Sequence, residues 1–284
     1  MLATVLVFAC LDATAKYLGT QMPVLQVVGV RCATAFLVGF LFSNPFNRPG
    51  LLKTARPGLQ LWRSSMLLGS TMFNFMAFRY LQLDEAMAIL FSTPFLIAIF
   101  AGPMLGEWVG WRRWTAILVG FAGVLLVVRP GMGGMQWAAL LSFASAICYA
   151  FYNLTTRLLS RTDSSETTLF YANLFGCLVM APVLPFVWVH PPTWLDVALM
   201  LATGVLGAGG HFLLILAHRR APASVLSPFI YTQIVWASSL GYLVFGNVPS
   251  RWTVAGACVV IASGLYLLNR ERLVRGTVAP IEPG

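Results

Sequence analysis

The sequence predicts an all-α membrane protein with ten transmembrane helices, arranged as two inverted five-helix repeats. First, 58% of the 284 residues are hydrophobic and only 10% are charged, whereas a soluble domain has about a quarter charged residues. Second, long apolar runs follow one another along the chain, and third, parts of its first half recur in its second half. This composition excludes an ordinary soluble enzyme, a disordered protein and a protein that binds nucleic acid through a basic face.

The apolar runs predict α-helical spans, because a spanning helix takes about 20 mostly apolar residues. Strands of a membrane barrel would instead give shorter segments of alternating hydrophobicity. The ten runs are Met1–Leu18, Val24–Phe42, Trp62–Leu81, Ala86–Leu105, Trp114–Val128, Trp137–Leu159, Thr167–Val189, Leu195–Ala217, Ala223–Phe245 and Trp252–Leu268. No basic segment precedes the first run, so we interpret it as a span and not as a cleaved signal peptide.

Basic residues fall mainly in alternate gaps between these runs. Thirteen belong to one set of gaps and the C-terminal tail, and three belong to the other set. The first set is Arg48, Lys53, Arg56, Arg63, Arg112, Arg113, Arg157, Arg161, Arg219, Arg220, Arg270, Arg272 and Arg275, and the second is Arg79, Arg129 and Arg251. The positive-inside rule therefore predicts that both termini lie in the cytoplasm.

Several positions of the first half recur in the second, which indicates a duplication. The matches are Phe8, Ala9, Ala15 and Tyr17 with Phe143, Ala144, Ala150 and Tyr152, and Arg113–Thr115 with Arg251–Thr253. We divide the chain into a first repeat at 1–130, a second repeat at 137–270 and a cytoplasmic tail at 271–284. Because five spans are an odd number, the second repeat must be inverted. Inverted repeats are typical of alternating-access transporters, whose solute site lies near the midplane.

Four charged residues inside or at the ends of spans are candidates for gating or ion pairing, since charge within a membrane is costly and seldom unpaired. Asp12 and Lys16 are one helical turn apart on the first span, and Arg31 is expected at a similar depth on the second. We expect Asp12 to pair with Arg31 or Lys16. Such a pair is either a gate, with the surplus cation contacting a solute carboxylate, or structural, with Lys16 reaching the outer interface. Glu107 lies beside two arginines, which favours an interfacial salt bridge.

Uncharged polar and aromatic residues inside the spans are candidates for solute binding. Such groups suit a small zwitterionic or aromatic solute, although they can equally bond between helices. Tyr149 and Asn153 share one face of the sixth span, with Tyr152 beside them. The predicted solute-binding residues are Asn74, Phe78, Tyr149, Tyr152, Asn153, Tyr231, Gln233 and His211.

His211 and two prolines suggest how transport works. His211 follows a glycine-rich stretch of the eighth span and can bind a coupling proton or serve as a bonded structural group. Pro94 and Pro228 interrupt the fourth and ninth spans at corresponding places. Paired interruptions of this kind point to hinges beside the solute site.

A set of short motifs occurs in a characteristic order along the chain. The motifs are Asp12–Lys16, Arg31, Pro94, Gly106–Glu107, Arg113–Trp114, Gly120, Gly123, Ser263–Tyr266 and Arg270–Glu271. Together they resemble the EamA family of the drug/metabolite transporter superfamily over nearly the whole chain. The second half departs from the family at Gly246–Asn247, where the family often repeats Gly–Glu.

This resemblance implies a multi-pass carrier of the bacterial inner (plasma) membrane that exports small metabolites, such as aromatic amino acids, by alternating access. The alternative is an importer of a vitamin or cofactor-like solute. The resemblance also implies a cavity lined mainly by spans one, three, four, six, eight and nine. The expected partners are a small solute, the lipid bilayer and a coupling proton, with no nucleic acid. We predict no enzyme activity, catalytic residues, cofactor or metal site, since the sequence lacks a phosphate-binding loop and a cluster of acids, bases or ligands.

Overall fold

The fold is helical throughout the part of the chain that the structure describes. This structure is a computed structural model, and it describes residues 1–42, 49–106, 110–129, 136–160, 162–220 and 229–276. Its α-helices are α1 (Leu2–Gln21), α2 (Val24–Phe42), α3 (Pro57–Phe78), α4 (Leu83–Leu90), α5 (Thr93–Leu105), α6 (Trp111–Val128), α7 (Gln136–Leu159), α8 (Ser165–Met180), α9 (Leu184–Val187), α10 (Trp194–Arg220), α11 (Gln233–Phe245) and α12 (Arg251–Gly276). A 3₁₀ turn at Pro49–Leu52 precedes α3.

Helices lie in all ten predicted runs, although some runs are divided. The fourth run forms α4 and α5, and the seventh forms α8 and the short α9. Five helical segments are long and apolar enough to cross a membrane: 2–21, 24–41, 83–105, 137–159 and 194–214. Shorter apolar helices occur at 114–128, 233–245 and 251–266. The all-helical prediction is confirmed for the described residues, while the number of crossings and their orientation remain predictions.

The fourth run breaks at Phe91 and Ser92, immediately before Pro94 in the first turn of α5. Proline has no N–H to donate to the preceding turn and disfavours helical geometry in the residue before it. The Thr93 hydroxyl donates to the Leu90 carbonyl at 2.6 Å, which satisfies one acceptor at the end of α4. The helix is therefore interrupted where the sequence predicted an interruption. Pro228 lies outside the described residues.

A second interruption faces the first one inside the bundle. The chain turns at Tyr231 and Thr232 before α11, and the Tyr231 ring packs edge-on against Phe91 with 5.2 Å between centroids. Helices α5 and α11 each have 13 residues, and each ends at a left-handed glycine, Gly106 (φ 73°) and Gly246 (φ 67°). The two interrupted segments thus share length, ending and point of contact.

Helices α6 and α12 pack closely because glycines face each other at their contact. A Cβ atom added at Gly256 would lie 2.6 Å from the Gly123 carbonyl oxygen, and one at Gly123 would lie 2.9 Å from the Gly256 carbonyl oxygen. Small residues of this kind let two membrane helices approach until their backbones touch. A larger residue at either position must push the helices apart.

We therefore expect Gly256→Ala to lower the free energy of unfolding by about 1–3 kcal/mol, the usual cost of overpacking. Gly241→Ala is the matched control, since a Cβ there meets no atom within 4 Å and alanine favours the helix. Melting temperatures of the two purified variants in detergent check the prediction. Equal stability of both variants would contradict close packing of α6 on α12.

Candidate functional site

The inward face of α7 carries a polar and aromatic cluster that lines a cavity of about 390 Å³. The Tyr149 and Tyr152 rings are stacked with 5.6 Å between centroids, and the Asn153 amide donates to the Tyr149 carbonyl at 2.6 Å. Residues of α3, α8 and α10 complete this first chamber. Its lining residues are Arg63, Tyr149, Tyr152, Asn153, Thr156, Ser160, Asp163, Ser165, Thr168, Leu169, His211 and Leu214.

Arg63 of α3 is held in the wall of the first chamber by α7 and α8. The side chain is only 2% exposed. Its Nε donates to Thr156 Oγ1 at 2.7 Å, Nη1 to the Thr168 carbonyl at 2.9 Å and Nη2 to the Tyr152 hydroxyl at 3.0 Å. The guanidinium also lies 4.5 Å from the centroid of the Tyr152 ring, a favourable cation–π arrangement. These contacts fix the position of the cation relative to the chamber.

A second chamber of about 580 Å³ adjoins the first and lies between α2, α3, α8 and α10. Its wall is largely apolar, and its polar groups include Arg31, Thr71, Glu166 and Asn173. Three residues line both chambers: Ser165, Leu169 and His211. The two chambers therefore meet at His211. Of the spans that the family resemblance implied, three, six and eight line these chambers, whereas no described residue of spans one, four and nine does.

His211 is positioned by close packing of α10 against α1 and α2. Its ring packs edge-on against Phe8 with 5.2 Å between centroids. A Cβ at Gly204 would lie 2.8 Å from the Arg31 carbonyl oxygen, and one at Gly207 would lie 3.3 Å from Arg31 Nη2. The glycines thus make room for α2 and for the Arg31 guanidinium. Whether His211 binds a proton stays a prediction.

The predicted ion pair of Asp12 with Arg31 or Lys16 does not form among the described residues. Asp12 Oδ2 instead accepts a hydrogen bond from Gln233 Nε2 at 3.1 Å. Arg31 Nη1 instead makes a long hydrogen bond of 3.5 Å to Thr71 Oγ1. Lys16 is buried and donates to the carbonyls of Phe78 (3.1 Å) and Leu81. Carbonyls at and just beyond the end of α3 therefore satisfy its ammonium group, and its reach to the outer interface stays a prediction.

Four predicted solute-binding residues line neither chamber. Gln233 contacts Asp12, and Phe78 is fully buried beside Lys16. Tyr231 packs on Phe91, with its hydroxyl against Gly264. The Asn74 side-chain oxygen is buried without a hydrogen-bond partner among the described residues. The chambers bring together Tyr149, Tyr152, Asn153 and His211, while Glu107 lies outside the described residues.

Asp163 links two connections at one end of the first chamber. Its carboxylate accepts from Thr54 Oγ1, from the Ala55 N–H at 3.2 Å and from Gln60 Nε2 at 2.8 Å. It therefore joins the α7–α8 turn to the start of α3. Partial burial raises the pKa of Asp163, but these hydrogen bonds outweigh burial and hold the pKa below its ordinary value.

We expect Asp163→Asn to lower the melting temperature modestly at neutral pH, because the bonds to a carboxylate are lost at a half-buried site. A carboxyl group whose pKa is depressed on folding stabilises the protein above its unfolded pKa and loses this effect as the pH falls through its native pKa. The difference between wild type and variant should therefore shrink below about pH 4. Thermal melts across pH check this, and a difference that does not vary with pH would contradict it.

Comparison with curated proteins finds similar chains of nearly equal length. The chain is 27% identical over 262 residues to the S-adenosylmethionine uptake transporter of Rickettsia bellii, covering 92% of this chain and 89% of that protein. It is 29% identical over 235 residues to the riboflavin transporter of Rhizobium johnstonii, covering 82% and 78%. It is 24% identical over 268 residues to the pseudopaline exporter of Pseudomonas aeruginosa, covering 93% of each.

A solved structure and a family model also match most of this chain. One crystal structure aligns with a TM-score of 0.65 and 20% identity, covering 95% of this chain and 98% of its own. At this identity the likeness supports the fold alone. The model of the EamA-like transporter family matches residues 1–129 and 136–270. This chain, a multi-pass bacterial membrane protein, therefore belongs to the EamA-like transporter family.

Proposed function

We propose that this protein is a secondary transporter that exports small metabolites, such as aromatic amino acids, by alternating access. The observation that carries the proposal is the pair of chambers meeting at His211, where polar, aromatic and cationic side chains converge inside an apolar bundle. Ligand sites typically combine apolar walls with a few placed polar groups in this way. The chambers have room for a small organic solute.

The proposed architecture has ten crossings in two inverted repeats, at 1–130 and 137–270, with both termini in the cytoplasm. The family match at residues 1–129 and 136–270 supports the division. The resemblance between α5 and α11, and the contact of their interruptions at Phe91 and Tyr231, support a relation by symmetry. Interrupted helices at matching places in two halves are where transporters of this kind bend.

The charge distribution supports an inward-open state for the conformation described. The first chamber reaches Ser160, Asp163 and Ser165, in the connection that the positive-inside rule assigns to the cytoplasm. At the opposite end Lys16 bonds to the last carbonyls of α3. The Gln26 amide and the Val189 backbone exchange hydrogen bonds of 2.8 and 2.9 Å there. These contacts close the outer end and must open in the outward-facing state.

An importer of a vitamin or cofactor-like solute is the alternative within the same fold. The name of the uptake transporter favours import and that of the riboflavin transporter favours a vitamin as solute, while the name of the pseudopaline exporter favours export. The same pair of chambers serves either direction, since direction depends on the driving gradient. The direction is therefore a question for flux measurements.

Counterflow into proteoliposomes tests the proposal. Vesicles holding the purified protein are loaded with an aromatic amino acid, the organic anion indole-3-acetate, riboflavin or S-adenosylmethionine, and entry of the labelled solute is followed. We expect saturable counterflow of at least one solute, and imposed pH or sodium gradients then give the direction. Flux no greater than in protein-free vesicles for the whole panel, or an ion current without solute, would contradict a solute transporter.

A further inference from the structure

Arg63 is a buried cation whose charge is not balanced locally. Its three hydrogen-bond partners, Thr156, the Thr168 carbonyl and the Tyr152 hydroxyl, are all uncharged. Among the described residues no carboxylate forms a salt bridge with it. A guanidinium has five N–H donors, so two remain beyond these three bonds. A charge buried in a membrane is costly unless it is paired, and the group that pairs with Arg63 must come from elsewhere.

A second guanidinium, that of Arg31, lies in the wall of the adjoining chamber. Arg31 lines the second chamber, and its Nε has no hydrogen-bond partner among the described residues. His211 lines both chambers, Arg63 lines the first, and the Arg31 Nη2 atom lies 3.3 Å from a Cβ built at Gly207, about one turn before His211. The space beside His211 therefore lies in the combined positive field of two fixed cations. Low-dielectric walls strengthen such a field, because water screens it less.

The acidic residues near the chambers already have partners. Asp163 receives hydrogen bonds from Thr54, Ala55 and Gln60 at the end of the first chamber. Glu166 lines the second chamber and also makes an interaction of its own. Asp12 is bonded to Gln233 and lies outside both linings. Among the described residues, the junction thus offers strong donors for an anion, and the carboxylates near it already have partners of their own.

We propose that the solute is an organic anion whose carboxylate binds Arg63 at the junction of the two chambers, with Arg31 adding electrostatic attraction. Its planar or apolar part lies against the stacked tyrosines Tyr149 and Tyr152. An α-amino group is not required. This inference rests on the proposed transport function and narrows it to net anions, which it favours over cations of the same shape and over zwitterions, including the aromatic amino acids given above as examples. Carboxylates are the partners that a guanidinium fork matches best.

Three probes of nearly equal shape test the inference: indole-3-acetate, its neutral amide indole-3-acetamide, and the cation tryptamine. Thermal stability of the purified full-length protein is measured against probe concentration, since a ligand of the folded state raises it. We expect stabilisation by indole-3-acetate at concentrations at least about tenfold below those needed for the other two, the effect of one charge-assisted contact. Equal stabilisation by the three probes, or none by the carboxylate, would overturn the inference.

Variants separate the site from general effects of charge. Arg63→Gln should abolish the preference for the carboxylate. Arg31→Gln should weaken it several-fold and is expected to fold, because the Arg31 side chain makes one long hydrogen bond among the described residues. Arg251→Gln is the control, since Arg251 is exposed and its guanidinium packs on Trp252. A preference unchanged in Arg31→Gln and in any folded Arg63→Gln protein would contradict the site.

Counterflow of a neutral or cationic solute would overturn the anion inference but leave the transport function intact.

Discussion

Replacing Arg63 with alanine should abolish counterflow and destabilise the protein. The guanidinium ties α3 to α7 and α8 through three hydrogen bonds, and its removal leaves the Thr156, Tyr152 and Thr168 groups without their donors. Losing a buried, charged hydrogen-bond network costs about 3–5 kcal/mol. If even half of this loss bears on solute binding, affinity falls by more than about tenfold. Arg63→Lys keeps the charge but cannot make three directed bonds, so we expect it to retain only partial activity.

The matched control for Arg63→Ala is Arg79→Ala, at the opposite end of the same helix. Arg79 is exposed and caps α3 only through its backbone. We expect normal melting temperature and normal counterflow for this variant. Full counterflow by a folded Arg63→Ala protein would remove the basis for placing the solute in the first chamber. Equal losses in both variants would indicate a general effect of charge.

Replacing Pro94 with alanine should slow transport strongly without lowering stability. Alanine at position 94 restores an N–H that can bond to the Leu90 carbonyl, now occupied by the Thr93 hydroxyl. Helices α4 and α5 can then join into one continuous helix, which removes the interruption that touches Tyr231. If the halves bend at this place, counterflow should fall by at least about tenfold, the effect of raising the conformational barrier by about 1.4 kcal/mol. The initial rate of counterflow and the melting temperature are measured together.

Pro103→Ala controls for the loss of a proline from the same helix. Pro103 lies inside α5, away from the break between α4 and α5, and its ring is exposed. We expect its counterflow rate to stay within about twofold of wild type, since helix propensity changes without altering the interruption. Unchanged flux in Pro94→Ala would show that the break is a static feature and not a hinge.

Helix positions could be predicted from the sequence because hydrophobic segments of sufficient length have few alternatives in a membrane. The interruption near Pro94 was predictable for an equally local reason, the missing N–H. Tyr149, Tyr152 and Asn153 were found together since helical periodicity alone places them near one face. These predictions all depend on features within a single helix.

Contacts between helices could not be predicted from the same patterns. Arg63 was assigned to a basic gap because it adjoins the end of a span, although its place one residue inside that span was a usable signal. Asp12 was expected to bond to a cation nearby in sequence, but its hydrogen bond crosses to Gln233 of the other half of the chain. Asp163 meets Thr54 through tertiary packing of two connections. Each of these contacts depends on which helices are neighbours in the fold. The patterns in a single sequence do not specify those neighbours.

Thiol labelling of the chamber wall tests the central claim, that the two chambers form a solute pathway open to the cytoplasm. In a variant without the five native cysteines, a cysteine replaces Leu169, which lines both chambers. A second variant carries the cysteine at Tyr80, which follows the C-terminal end of α3. The proposed orientation puts this end on the side of the membrane away from the cytoplasm. A membrane-impermeant reagent should label Leu169→Cys in inside-out vesicles and Tyr80→Cys in right-side-out vesicles. Labelling of Leu169→Cys only from the outside, or from neither side, would contradict the account.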